Sequence, residues 1–143
     1  MVVLLIGGTA CKKSPKNGDG SGNVTGNQNG VDPPAGSTDG VTFINAGKSV
    51  IFNLYAPKKK SVSVVGEFNG WAATAMKNSK DGNRWWVQVD NLDPSREYAY
   101  QYVIDGTIKV ADPYTEKVLD PDNDKNIPTT VYPNLKAYPS GAT

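Results

Sequence analysis

Histidine is absent from these 143 residues, and cysteine occurs once, as Cys11. Without histidine, the usual general base of serine and cysteine hydrolases is missing. A lone cysteine excludes an internal disulfide and any cysteine-rich zinc site. Glycoside cleavage needs two carboxylates facing each other across roughly 5 to 10 Å. Only three glutamates exist, Glu67, Glu97 and Glu116, and no pattern sets a second acid beside Glu67. The residues therefore offer no catalytic apparatus and call for no cofactor.

A surplus of one charge is missing as well. Fifteen basic and fourteen acidic residues leave a net charge of +1, which points to neither nucleic acid nor an anionic membrane surface as a partner. Lys58-Lys59-Lys60 follows Pro57 and reads as a solvated turn. No apolar run reaches the ~20 residues that span a bilayer. Residues 12–40 hold no aromatic residue but seven of the fifteen glycines. The remaining stretch of about 100 residues, enough to fold alone, thus carries nearly all the side chains that can build a core.

Residues 1–11 are a short apolar run, then Gly7-Gly8-Thr9-Ala10 and Cys11. An apolar run ending in small residues is an export signal. With the cysteine directly after it, the segment resembles a bacterial lipoprotein signal, although no basic residue precedes the run and Gly8 stands where leucine is usual. The resemblance implies lipidation at Cys11 and export to the cell envelope, periplasm or outer membrane, with the membrane touched only through the lipid. The alternative is a buried N-terminal strand with an incidental cysteine. Residues 12–40 have no apolar periodicity and cannot offset their ordering entropy, so they are expected to form a disordered tether.

From residue 41 the pattern becomes that of short strands. Over 49–56, Val50, Phe52, Leu54 and Ala56 alternate with Ser49, Asn53 and Tyr55, the period of a half-buried strand. Residues 61–65 repeat it with Val62 and Val64. Asp81-Gly82 marks a turn. Over 84–90, Trp85, Val87 and Val89 share one face, and Arg84, Trp86 and Gln88 the other. Tyr98, Tyr100, Tyr102 and Ile104 share a face over 97–104. Asp105-Gly106 is a two-residue hairpin signal with 107–111 as the return strand, and a last strand is expected at 129–132. No stretch shows helical periodicity. The expectation is an all-β, immunoglobulin-like antiparallel sandwich over residues 41–132, followed by an exit linker at 133–143.

Three ordered pieces lie within it: Gly66-Glu67-Phe68-Asn69-Gly70-Trp71 after a strand, Tyr100-Gln101-Tyr102-Val103-Ile104-Asp105-Gly106, and Asp112-Pro113-Tyr114. Together they resemble the family 48 carbohydrate-binding module, an early-set sandwich that binds glycogen and starch beside α-amylase-type barrels. The segments 112–121 and 131–135 resemble the exit from this module in lipoprotein amylases of the Bacteroides type, where a family 13 glycoside hydrolase barrel follows. The resemblance implies an accessory α-glucan-binding module with that barrel as its partner in cis. The alternative is a structural domain that packs on the barrel and binds no sugar. A free-standing adhesion-type sandwich is the third reading.

A pyranose offers an apolar face and a rim of hydroxyls, matched by an exposed aromatic plane and planar polar groups. The resemblance places Trp71 as the stacking residue beside Asn69; the other reading has Trp71 plugging the end of the sandwich. Gln101 stands where the family has a binding lysine, and Ile108 where it has a second tryptophan. Alternation makes Trp85 core and turns Trp86 outward with Arg84 and Gln88, to meet either sugar or the barrel. Asp120, Asp122 and Asp124 have the spacing of calcium-loop ligands. Lys125 replaces the central glycine, however, and Val131 the closing glutamate, so a turn is expected and no metal.

Overall fold

A computed structural model describes residues 2–5 as backbone and residues 29–142 in full. Among the described residues ten strands form two sheets, and every pairing is antiparallel. They are β1 (Val2–Leu5), β2 (Gly40–Ile44), β3 (Ser49–Tyr55), β4 (Val62–Gly66), β5 (Thr74–Ala75), β6 (Lys77–Asn78), β7 (Arg84–Val89), β8 (Tyr98–Ile104), β9 (Ile108–Val110) and β10 (Val118–Leu119). The larger sheet runs β10-β1-β8-β4-β5, with β9 paired to the far half of β8; the smaller runs β2-β3-β7-β6. Among the described residues the only helical pieces are three single turns, at Asn45–Gly47, Glu67–Asn69 and Asp124–Asn126. The expected all-β sandwich is what the chain builds.

Alternation decides the core. Val50, Phe52 and Leu54 of β3 meet Val62 and Val64 of β4, Trp85 of β7, and Tyr98, Tyr100, Tyr102 and Ile104 of β8 between the sheets. The register places Phe52 opposite Val87 and Leu54 opposite Trp85. The Trp85 indole N–H donates to the Ala56 carbonyl at 3.1 Å, which satisfies the one polar atom that this ring buries. The Asp105-Gly106 turn has positive φ at both residues (50° and 74°), as a two-residue hairpin requires. The Asp105 carboxylate also accepts the backbone N–H groups of Lys60 and Ser61 at 2.7 and 3.1 Å, fixing the β3–β4 loop.

One carboxylate is buried at the centre of the aromatic cluster. Asp112 Oδ2 accepts the hydroxyls of Tyr100 (2.6 Å) and Tyr102 (3.3 Å), while Oδ1 accepts the backbone N–H of Tyr114 (2.9 Å). Burial pushes the ionisation of both tyrosines well above the ordinary value, and the neighbouring Asp112 charge adds to it. Because the folded pKa values are raised, the stabilisation is complete below the unfolded tyrosine pKa of about 10 and declines as pH climbs past it. A spectrophotometric titration should therefore show two tyrosines that ionise only as the fold opens, in one step with loss of the near-ultraviolet dichroism.

Four features differ from the sequence-based expectation. Residues 129–132 form turns instead of a strand, because Pro128 and Pro133 bracket them and Val131 N–H closes a turn on the Pro128 carbonyl at 2.9 Å. Residues 29–39, expected within the tether, are bonded to the smaller sheet. Val31 N–H bonds the Asn78 carbonyl (2.8 Å), Lys80 N–H bonds Asp32 Oδ1 (3.0 Å), and Arg84 holds Asp39. This strap crosses the outward face of the smaller sheet, and backbone partners from the sheet edge offset an ordering cost its composition could not. Gly40–Ile44 is a strand with its register set by β3. Val2–Leu5 is a strand between β8 and β10, the arrangement given above as the alternative to an export signal. Cys11 and residues 6–28 lie outside the described residues.

Candidate functional site

The outer face of the larger sheet carries the residues that the resemblance singles out. After β4 the chain tightens into the Glu67–Asn69 turn, and Gly70 and Trp71 both take positive φ, 62° and 65°. A tryptophan in the left-handed region is strained, and neighbouring bonds hold it there. Trp71 N–H donates to the Gly66 carbonyl at 2.8 Å. Asn69 Oδ1 accepts Gly66 N–H (3.1 Å), and its Nδ2 donates to the Ala72 carbonyl (2.5 Å) and Thr74 Oγ1 (2.9 Å). Asn69 is thus spent on building the bend, and Trp71 is what the bend presents.

The presented ring is not bare. Trp71 packs with Ala99, Leu119, Leu135, Tyr138 and Ala142 in a small cluster outside the main core. The backbone of Gly141 lies against the indole so closely that a Cβ there would overlap Cδ1 and come within 2.6 Å of Nε1. Lys136 Nζ reaches Glu67 Oε2 at 3.1 Å, and the same carboxylate oxygen accepts Ala99 N–H at 2.7 Å. Glu67 is therefore a clasp between the bend, β8 and the segment 135–142. That segment reaches the ring because Pro139 and Gly141 turn the chain back, with Ala142 N–H closing on the Pro139 carbonyl at 3.1 Å.

Gln101 lies on β8 beside Val65 and faces the same side, but it is 1% exposed. Ile108 is 57% exposed and has no planar face to offer. Trp86 does turn outward, as alternation predicts, yet the 29–39 strap covers it to 7% exposure. Its indole N–H donates to the Val31 carbonyl (2.5 Å), and Lys77 Nζ sits 4.8 Å from the ring. The exposed Trp86 patch expected for sugar or barrel contact is absent, because the strap fills it. Trp71, Asn69 and Gln101 are brought to one face; Trp86 belongs to the opposite sheet.

Across the molecule, sequence reasoning passed over a polar group on the smaller sheet. Arg84 Nε and Nη2 donate to Asp39 Oδ1 and Oδ2 at 2.8 and 3.3 Å, and the guanidinium carbon sits 5.6 Å from the Tyr55 ring centroid. The hydrogen bond to Asp39 raises the Arg84 pKa further. Burial alone would raise the Asp81 carboxyl, but bonds from Ser79 and Asn83 and the nearby Arg84 outweigh it and hold Asp81 below the usual range. The signal was Tyr55 and Arg84 on the polar side of two alternating strands. Asp120 and Asp124, at the spaced aspartates, accept backbone N–H groups within their own turn.

The family model of carbohydrate-binding module 48, the isoamylase N-terminal domain, matches residues 39–115, more than half of the chain. The 1,4-alpha-glucan branching enzyme GlgB of Mesorhizobium japonicum is 33% identical over 73 residues, 48% of this chain and 10% of the enzyme. That of Butyrivibrio fibrisolvens is 37% identical over 71 residues, 47% of this chain and 11% of the enzyme. The chain therefore spans about a tenth of the length of these relatives. Among solved structures, the catalytic module of the pneumococcal glycogen-degrading virulence factor SpuA aligns over 65% of this chain and 15% of its own, with TM-score 0.48 and 24% identity. The matched segment begins at Asp39 and ends one residue past Tyr114, so it takes in the bend, the β8–β9 hairpin and Asp112. The chain belongs to carbohydrate-binding module family 48.

Proposed function

We propose that the chain is the accessory α-glucan-binding module of a larger glycoside hydrolase or transferase of the α-amylase type. In this reading Trp71 stacks on a pyranose face at the outer surface of the larger sheet, with Gln101 next to it. The observation that carries the reading is the Trp71 bend, which holds a strained tryptophan outside the main core under nothing more than a short peptide segment. A core plug would be enclosed by strands. The relatives act on 1,4-α-glucan, which favours maltooligosaccharides as the ligand.

Calorimetric titration with maltoheptaose should show millimolar to micromolar binding, lost in Trp71→Ala while that variant stays folded. Unchanged heat in the folded variant refutes the assignment of Trp71.

A structural role beside a family 13 barrel is the second reading, and a specific observation favours it. Near the C-terminal end, Ile127, Val131 and Tyr132 are 40%, 71% and 42% exposed on turns that follow the sandwich, an apolar group suited to contact with a following domain. For localisation we propose that Cys11 is a lipid attachment site on an exported protein, a processing that would remove Val2–Leu5 and open the larger sheet between β8 and β10; metabolic labelling with a palmitate analogue, lost in Cys11→Ala, tests it.

A further inference from the structure

The segment 135–142 that lies over Trp71 is built to leave as a unit. Its backbone closes turns of its own, Leu135 N–H on the Tyr132 carbonyl (3.3 Å) and Ala142 N–H on the Pro139 carbonyl (3.1 Å). Side chains tie it to the larger sheet. Lys136 meets Glu67, and Leu135, Tyr138 and Ala142 share an apolar cluster with Trp71, Ala99 and Leu119. The ion pair is partly exposed, 25% and 21% for its two side chains, and such a pair is weak. The chain just before the segment is fixed by other means. Lys117 Nζ sits 5.2 Å from the Tyr132 ring centroid and 2.6 Å from Glu97 Oε1, so movement begins beyond Tyr132.

Behind the segment there is room for that movement. A cleft of about 270 Å³ lies between it and the turn at 120–125, lined by Leu135, Lys136 and Tyr138 from the segment and by Asp120, Asp124 and Lys125 from the turn. Packed interiors leave few voids larger than a water, so the back of the segment is not packed onto the turn. Burial raises the Tyr138 hydroxyl, and the Asp120 charge adds to it, which puts the two walls within electrostatic reach.

The wall that faces Lys136 is ready for a cation. Asp124 Oδ2 accepts Asp120 N–H (2.8 Å) and Asp120 Oδ1 accepts Asp122 N–H (2.9 Å), so both carboxylates are held without help from the segment. Two carboxylates against Lys125 leave that wall negative. Lys136 therefore has acidic neighbours on both sides, Glu67 where it now rests and the turn across the cleft.

We infer that residues 135–142 form a lid with two resting positions, which decides whether Trp71 is free. Closed, Lys136 rests on Glu67 and the apolar side chains cover the indole. Open, the segment swings into the cleft and Lys136 passes from Glu67 to Asp120 and Asp124. One ion pair replaces another, so the exchange itself costs little, and the apolar contacts with Trp71 set the balance. Sugar shifts that balance because it takes the indole only in the open position. The lid rests on the α-glucan reading above and adds a regulatory contact to it.

The test is calorimetry with maltoheptaose on two reversible crosslinks, each in the full chain carrying Cys11→Ala. Glu67→Cys with Lys136→Cys holds the lid down; Lys125→Cys with Lys136→Cys holds it back. The first pair should bind sugar only after reduction, and the second whether oxidised or reduced. A first pair that binds equally in both states overturns the lid, and so does a second pair that loses binding on oxidation; the α-glucan reading stands in either case. No heat from these chains in either state, and none from the unmodified chain, overturns both. Asp120→Asn needs no crosslink and keeps an acceptor for Asp122 N–H. It should weaken binding about two- to fivefold by removing one partner of Lys136 in the open position, and unchanged affinity there overturns that position.

Discussion

Gly141→Val should raise the affinity for maltoheptaose by at least about tenfold, the gain expected when a binding face is covered in ~90% of molecules and then freed. The valine Cβ has no room against the Trp71 indole, and no flexible side chain stands between them to give way. Either the ring or the segment must move. The ring is fixed by the bend, by Trp71 N–H on the Gly66 carbonyl and by the Asn69 network, whereas the segment is held by Lys136 on Glu67 and by apolar contact. The segment should yield.

Lys136→Glu attacks the same cover without touching the ring, since it sets a like charge against Glu67. Its effect should be smaller and should shrink with salt, because that pair is partly exposed. Limited proteolysis between residues 136 and 142 should quicken in both variants, and in the unmodified chain on addition of maltoheptaose. Equal affinity in all three chains, with proteolysis of the segment accelerated in the variants, would show that the cover does not compete with sugar.

Asp112→Ala should cost roughly 3 to 5 kcal/mol, since it strips a buried acceptor from two buried hydroxyls and a backbone N–H at once. For a small domain that is a large part of the total. Asp112→Asn keeps oxygen at one position and should cost less, about 1 to 2 kcal/mol. Tyr100→Phe removes only one of the three donors and should fall below both. Urea unfolding with constant slope measures all three. A loss under 1 kcal/mol for the alanine variant would mean that water or a shifted side chain replaces the carboxylate.

The two predictions separate what was legible in the residues from what was not. The core was legible because strands carry their burial in their period: Val50, Phe52 and Leu54, or Tyr98, Tyr100 and Tyr102, need no knowledge of a neighbour to be placed inside. Trp86 shows the limit of that rule. Alternation gave its direction correctly, but whether an outward residue stays exposed depends on what crosses it, and residues 29–39 have no periodicity that announces a strap. The same holds for Trp71. The residues 66–71 foretell a bend with a tryptophan on it, while a stretch of Pro, Ser, Gly and Ala seventy residues later says nothing about where it will lie. Asn53, Tyr55 and Arg84 were placed on the right side of their strands. The bonds of Arg84 to Asp39 and of Asn53 to Thr38 were hidden in the expectation that residues 12–40 were tether.

One placement bears on how the chain can be handled. Val2–Leu5 pairs on both sides, with β8 through Val3, Leu4 and Leu5 and with β10 through Val2 and Val3. It is an inserted rung and not a fringe. Cleaving it away would leave two backbone rows separated by the width of a missing strand, about 9 to 10 Å, too far to bond each other until β10 shifts. Such a slot accepts any extended peptide that can lie in it, so trimming a handful of residues from the front alters the shape of the whole face.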